Sequence, residues 1–365
     1  MYRTFNAAIA LTISSVALSA CQSEKADPAA SESATAKAPS FVVPMASNDP
    51  APGQAGEQED AARPVMQAQV VLERLGFAPG VIDGKTGLST TNAVSGFQKA
   101  NDLPVTGKFD DPTMQALTRW SNIAATRVVT IPQDFAKGPF APLPKSPEEQ
   151  AKLPEMAYTS LDEKLAERFH TTPEVLRGLN PQLQNAPFAA DQKFRVPNVG
   201  GDRIDPAHVD NKGWLATLAT LGVSDAQPDA ARIVVSKSKG TLEVYDGADK
   251  LVALFTVTTG SEKDPLPLGD WTINGKSYNP EFSYDPSLFW DVPDSKGEHL
   301  LPPGPNGPVG VVWIDLSKEH YGIHGTPEPQ TIGRAESHGC VRLTNWDAAR
   351  LAQMVTGSTK VSFVR

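Results

Sequence analysis

Apolar positions change their rhythm along the chain, and the changes mark out its parts. Met66, Val70, Val71, Leu72 and Leu75 recur at near-helical spacing, and Ala93, Val94 and Phe97 do so within 89–100. A third helix is predicted over 112–120, and turn-rich loops at 76–84 and 101–110 separate the three. Leu165, Ala166 and Phe169, then Val175, Leu176 and Leu179, give two further helical faces. Tyr158 to Leu161 and Phe194 to Pro197 read as strands on either side of them. From Arg232 onward the period shortens to that of strands: 233–236, 241–245, 251–257, 271–273, 309–316 and 361–364 are β-branched or alternating runs. Gly240 and Asp246-Gly247 are turn signals between them, and one helix is predicted over 346–355 behind a Thr344 or Asn345 cap.

The remaining segments lack such rhythm. Residues 21–62 are rich in Ala, Ser, Pro, Glu and Gln and read as a disordered tether. Residues 121–156 and 200–231 read as linkers. The division is therefore 1–20, 21–62, 63–120, 121–156, 157–199, 200–231 and 232–365, and a chain of 365 residues exceeds one ordinary core. A net charge of −9 argues against nucleic acid as a partner, because phosphate binding rests on Lys and Arg.

The N-terminus addresses the compartment. Arg3 precedes a short apolar run, Ala7 to Leu18, too short to span a bilayer and suited to a secretory signal peptide. The run ends Leu18-Ser19-Ala20-Cys21, which resembles a bacterial lipobox, so Cys21 is the expected lipidation site and 1–20 the signal peptide. The location expected is the bacterial cell envelope, periplasmic and lipid-anchored; Gln22 in place of Asp leans toward the outer membrane. The chain has two cysteines, so lipidation of Cys21 leaves Cys340 without a disulfide partner in the chain. A spare thiol kept in an oxidising compartment is a candidate nucleophile.

Around it stand Tyr321-Gly322-Ile323-His324-Gly325-Thr326 and Ser337-His338-Gly339-Cys340-Val341-Arg342-Leu343. A thiol with a pKa near 8.5 is only partly ionised at neutral pH, and a histidine held against it supplies the missing base. Backbone N–H groups at 338–340 are placed to receive a developing oxyanion. Spacing leaves open whether His324 or His338 takes the proton.

Three resemblances follow from quoted residues. LxxLGF, G-x-x-D-G and AVxxFQ, as they stand at 72–77, 80–84 and 93–98, resemble the three-helix peptidoglycan-binding domain. The strand-helix-helix-strand pattern of 157–199, with Leu179-Asn180-Pro181 and a final Val196-Pro197, resembles a LysM glycan-binding module, although Leu161-Asp162-Glu163-Lys164-Leu165 replaces its usual opening. The His324 and Cys340 stretches, with 267–271, Asn279-Pro280 and 302–310, resemble the L,D-transpeptidase catalytic domain. The fold class implied is multidomain: a mostly β catalytic domain, sandwich or barrel, preceded by a small three-helix domain and a βααβ module.

That last resemblance implies roles. Cys340 would be the acylated nucleophile, His324 the general base and Gly325 the residue whose carbonyl orients it. His338 and Gly339 would serve the oxyanion and substrate position. Arg342 would hold a stem-peptide carboxylate, with Ser337 beside it holding the loop. No cofactor and no metal are implied. The partners implied are peptidoglycan stem peptides and glycan, the membrane through a lipid anchor, and a protein acceptor as one option. The resemblance further implies acylation by carbapenems. A hydrolase using the same cysteine (an L,D-carboxypeptidase) and a non-catalytic wall-anchoring lipoprotein are the competing readings.

Overall fold

The computed structural model describes residues 63–184, 186–200, 204–288 and 297–365. The segments expected to be signal peptide and tether, with Cys21, lie outside the described residues. Helices α1 (Pro64–Arg74), α2 (Leu88–Ala100) and α3 (Asp111–Leu117) form the first module. Strand β1 (Thr126–Thr130), a one-turn helix α4 (Pro147–Gln150), helices α5 (Leu161–Arg168) and α6 (Pro173–Leu179) and strand β2 (Lys193–Pro197) follow. Then come α7 (Lys212–Leu221), β3 (Arg232–Ser236), β4 (Thr241–Tyr245), β5 (Leu251–Thr256), β6 (Gly269–Tyr278), β7 (Phe282–Tyr284) and β8 (His299–Leu301). The chain closes with β9 (Val312–Leu316), β10 (Gly322–His324), β11 (Val341–Arg342), α8 (Asn345–Met354) and β12 (Lys360–Val364).

Eight strands pair in the order β11-β10-β9-β6-β12-β3-β4-β5. Two neighbouring pairs, β12–β3 and β10–β11, are parallel; the other five are antiparallel. Alternation along β3 and β4 sends Ile233, Val235, Leu242 and Val244 into one core with Trp346 and Leu351 of α8. Thr344 caps α8 by accepting the Asp347 N–H, so the first of the two expected caps is the one used.

Three expectations are corrected. Residues 158–160 carry no strand. The closing strand β2 pairs instead with β1, antiparallel, Thr126 opposite Pro197. Thus the βααβ pattern exists, but its first strand and the buried Ala125, Val129, Ile131 and Phe135 come from the supposed linker 121–156. The supposed linker 200–231 carries α7, whose Trp214, Leu218 and Leu221 enter the core beneath the eight-stranded sheet. Trp214 also donates from its indole to Gln353 at 2.8 Å. His170 is buried, 3% exposed.

The modules are packed together rather than strung out. The edge strand β5 meets residues 76–78 of the first module: Ala78 N–H donates to Leu254 O at 2.9 Å and Leu254 N–H to Gly76 O at 3.0 Å. Phe77 packs with Leu72, Phe97, Tyr245, Leu251 and Leu254 in a shared core. Gly76 allows the approach: its φ is +95°, and a Cβ there would lie 2.7 Å from the Val252 carbonyl oxygen.

A buried polar junction joins all three parts. Glu73 of α1 accepts from Arg350 of α8 at 2.9 Å and meets His170 Nδ1 at 2.8 Å. His170 stacks on Trp346 with centroids 5.1 Å apart, and its Nε2 donates to Leu221 O. Burial opposes the Glu73 charge, but Arg350 and His170 outweigh it and hold the carboxyl below its ordinary range. Asp347 is pushed up to about 8 by burial and by the like charge of Glu73. Nearby, Glu167 of α5 accepts from Tyr158 at 2.7 Å and from Asn345 at 2.8 Å, and burial lifts it to about 8.

Candidate active site

Strand register builds the site. Across β9, β10 and β11, Trp313 stands opposite His324, and His324 opposite Arg342. Opposed residues share a face of the sheet and neighbours alternate, so Ile314, Ile323 and Val341 enter the core. Trp313, His324 and Arg342 face the other way, as does Cys340 one step before Val341. These residues, with His338, line one cleft of about 660 Å³. Phe282, Tyr284, Pro308 and Val309 form its apolar wall, and Asp264, Lys318, Glu319, His320 and Tyr321 its polar end.

The loop that presents the thiol is tied on several sides. Arg342 N–H donates to Thr258 O at 2.9 Å and Thr258 N–H to Arg342 O at 3.1 Å. Ser337 N–H donates to Thr259 O, and Ser261 N–H to Ser337 O at 3.2 Å. The Ser337 hydroxyl donates to the Cys340 carbonyl at 2.6 Å. Gly339 has φ +104°, and a Cβ there would lie 2.6 Å from the Tyr321 ring. A side chain at 339 would therefore be strained and would collide.

The electrostatics set the resting protonation. His324 Nδ1 lies 2.7 Å from the Gly325 carbonyl. A carbonyl only accepts, so Nδ1 carries the proton and Nε2 keeps its lone pair. Burial, then the Arg342 charge, pushes the His324 pKa down to about 3 against that bond. The ring, stacked on Trp313 with centroids 5.4 Å apart, is neutral and fixed. Burial raises the Cys340 thiol above its ordinary value, against the opposing pull of the Gly322 N–H and Arg342. The resting pair is thus thiol and neutral imidazole.

The structure gathers His324, His338, Cys340 and Arg342 at one cleft, with Gly325, Ser337 and Gly339 in the backbone that holds them. Sequence reasoning missed Asp264 as a cleft residue; nothing local at 264 signals it, since it arrives from a loop far from the cysteine. Tyr321 stood in the quoted stretch but was given no role. Among the described residues no group of three or more His, Cys, Asp or Glu side chains is placed to hold a metal ion.

A half-buried thiol one residue ahead of β11 and a neutral, tautomer-fixed histidine on the adjoining β10 define a cysteine–histidine site on a mixed sheet. The L,D-transpeptidase catalytic domain (YkuD) matches residues 230–362, and the "Putative peptidoglycan binding domain" matches 62–117. The "Putative L,D-transpeptidase YkuD" of Bacillus licheniformis is 30% identical over 200 residues, 55% of this chain and 91% of that protein. Its Bacillus subtilis namesake is 51% identical over 61 residues, 17% of this chain and 37% of that one. L,D-transpeptidase 3 of Mycobacterium tuberculosis, solved with a faropenem-derived adduct, aligns at 20% identity and TM-score 0.29 over 37% of this chain and 60% of that chain. The chain belongs to the L,D-transpeptidase family and carries a peptidoglycan-binding domain ahead of the catalytic one.

Proposed function

We propose that the chain is a peptidoglycan L,D-transpeptidase working through a thioester on Cys340 of tetrapeptide stems. The observation that supports it most is the His324 tautomer: Nδ1–H is committed to Gly325 O, which leaves Nε2 basic on the face shared with Cys340. As the Cys340 sulfur attacks the carbonyl at the L-centre of the third-position diamino acid, Nε2 takes the thiol proton. The amide C–N bond breaks, and the terminal D-Ala amine leaves with that proton. A thioester remains. An acceptor amine then attacks the same carbonyl carbon, gives a proton back through His324, and the thiol is restored. One amide replaces another, so the exchange needs no external energy source.

In this reading Arg342 holds a substrate carboxylate, and N–H groups near His338 and Gly339 hold the oxyanion. The peptidoglycan-binding domain, with the βααβ module beside it, keeps glycan strands near the cleft. Export and lipidation at Cys21 would place the enzyme in the cell envelope. Among the described residues no helix is long and apolar enough to cross a membrane.

Intact-mass analysis of wild type and Cys340→Ala with purified disaccharide-tetrapeptide tests the reading. A dimer mass less one D-Ala, from wild type alone, is the expected result. Tripeptide alone would make the chain a hydrolase. No product from a folded, reduced protein would favour wall anchoring.

A further inference from the structure

The polar end of the cleft holds a carboxylate that the exchange described above does not use. Asp264 Oδ2 is buried and has no hydrogen-bond partner. Its loop is fixed: Asp264 N–H donates to Ser261 Oγ at 3.0 Å, and Ser261 N–H is bonded to Ser337 O of the cysteine loop. Arg342 Nε, also in the cleft, is likewise buried without a partner. The two opposite charges do not satisfy each other. Arg342 lies within electrostatic reach of Cys340, and so does Tyr321, which also feels Asp264. Arg342, Tyr321, Asp264 and the sulfur thus line one cleft, with the guanidinium and the carboxylate as its two buried, unbonded charges.

An acyl exchange has two substrates, and they differ in the charge they bring. The donor stem offers carboxylates, which suit Arg342. The acceptor offers a primary ammonium, since such an amine has a pKa near 10. Glu319 is the other carboxylate at this end, but its side chain is 86% exposed and lies 3.5 Å from the His320 ring. Lys318 stands 5.7 Å from the centre of the Tyr321 ring, on a flexible stem that an incoming ammonium can displace. Asp264 instead keeps one carboxylate oxygen, Oδ2, buried and without a hydrogen-bond partner.

We propose that Asp264 receives the primary ammonium of the acyl acceptor and thereby favours amine over water at the Cys340 thioester. This rests on the thioester reading above. The ammonium docks on Asp264 and sheds one proton to solvent. The free amine then attacks the thioester carbon, its second proton passes through His324 to sulfur, and the C–S bond breaks. Ammonium and thioester become amide, thiol and one released proton.

The full chain and Asp264→Asn are compared in two assays. Acylation of Cys340 by a carbapenem, which involves no acceptor, should stay within about twofold, because a charge-assisted contact made only to the acceptor is absent from that step. The ratio of amide product to hydrolysed tripeptide should fall about tenfold in the variant, the loss typical of one charged hydrogen bond. The acceptor is supplied in one arm as the disaccharide-tetrapeptide itself and in another as Nα-acetyl-lysine amide, which tells stem amines from protein lysines. Asp264→Glu should recover part of the ratio. An unchanged ratio overturns the assignment, as does a wild type that yields tripeptide alone. Loss of carbapenem acylation in step with the ratio overturns it too, making Asp264 a donor-side or structural group. A wild type that neither acylates nor turns over removes the thioester reading itself.

Discussion

The junction between modules and the catalytic cleft both bury ionisable groups, but they arrange them in opposite ways. At the junction, charge meets charge: Glu73 lies between Arg350 and His170, while Asp347 beside it is pushed up to about 8 and so stays protonated at neutral pH. In the cleft, Arg342 Nε and Asp264 Oδ2 are buried without hydrogen-bond partners. Glu73 is paired through one oxygen with Arg350 and His170, although its Oε2 and Asp347 Oδ1 are also buried without a hydrogen-bond partner. A buried group left unsatisfied is stabilised only when something arrives. The contrast is between a carboxylate paired with a cation, Glu73, and one with no cation bonded to it, Asp264.

Substitutions can break that contrast. Cys340→Ala should abolish acylation, a loss of at least about 10³-fold, with the urea midpoint almost unmoved. A large fall in stability would place the thiol on the structural side. Arg350→Met should do the reverse. It leaves Glu73 charged with His170 beside it but without its guanidinium partner, at a cost of about 3–5 kcal/mol, while carbapenem acylation of the protein that remains folded keeps its rate. Denaturant titration and intact mass read the two effects. Gly76→Ala should cost about 1–3 kcal/mol, since it forces a side chain into a positive-φ position against the Val252 carbonyl.

The smallest effects appear in the pH dependence. Glu167 and Asp347, both pushed up to about 8, bind more protons folded than unfolded between their ordinary pKa values and 8. Their contribution is complete below about pH 4 and is lost as pH rises through 8. His324, pushed down to about 3, acts in the other direction: its contribution is present above about 6.5 and is lost as pH falls toward 3. Thermal melts from pH 5 to 9 should therefore show an alkaline decline that Glu167→Gln reduces. Carbapenem acylation should rise with pH, following the raised Cys340 thiol, with no acid limb from His324 between pH 4 and 7.

Much of this was legible in the chain itself. Strands 232–236, 241–245 and 251–256 repeat apolar alternation in local sequence, and the cysteine motif carries its chemistry within a few residues. What stayed hidden depends on distant partners. Thr126–Thr130 is a strand because Lys193–Pro197 lies beside it, and its surroundings, rich in proline, read as linker. Trp214 and Leu218 sit in a segment whose apolar face makes sense only against the catalytic core. His170 carries no local sign of its burial, because its partners, Glu73, Leu221 and Trp346, come from three other elements. Asp264 is one of many aspartates in the sequence, and only the fold brings it to the cleft that holds the sulfur.

The pairing of residues 76–78 with β5 bears on biogenesis. An exposed sheet edge offers unpaired N–H and C=O groups to any neighbouring chain. Synthesis runs from the N-terminus, so the segment that seals this edge exists before the strand it seals. When β5 emerges, its partner is already present in the same molecule. The domain that precedes the catalytic sheet is thus also positioned to chaperone it, and a catalytic fragment begun after residue 78 would enter a crowded envelope with that edge open.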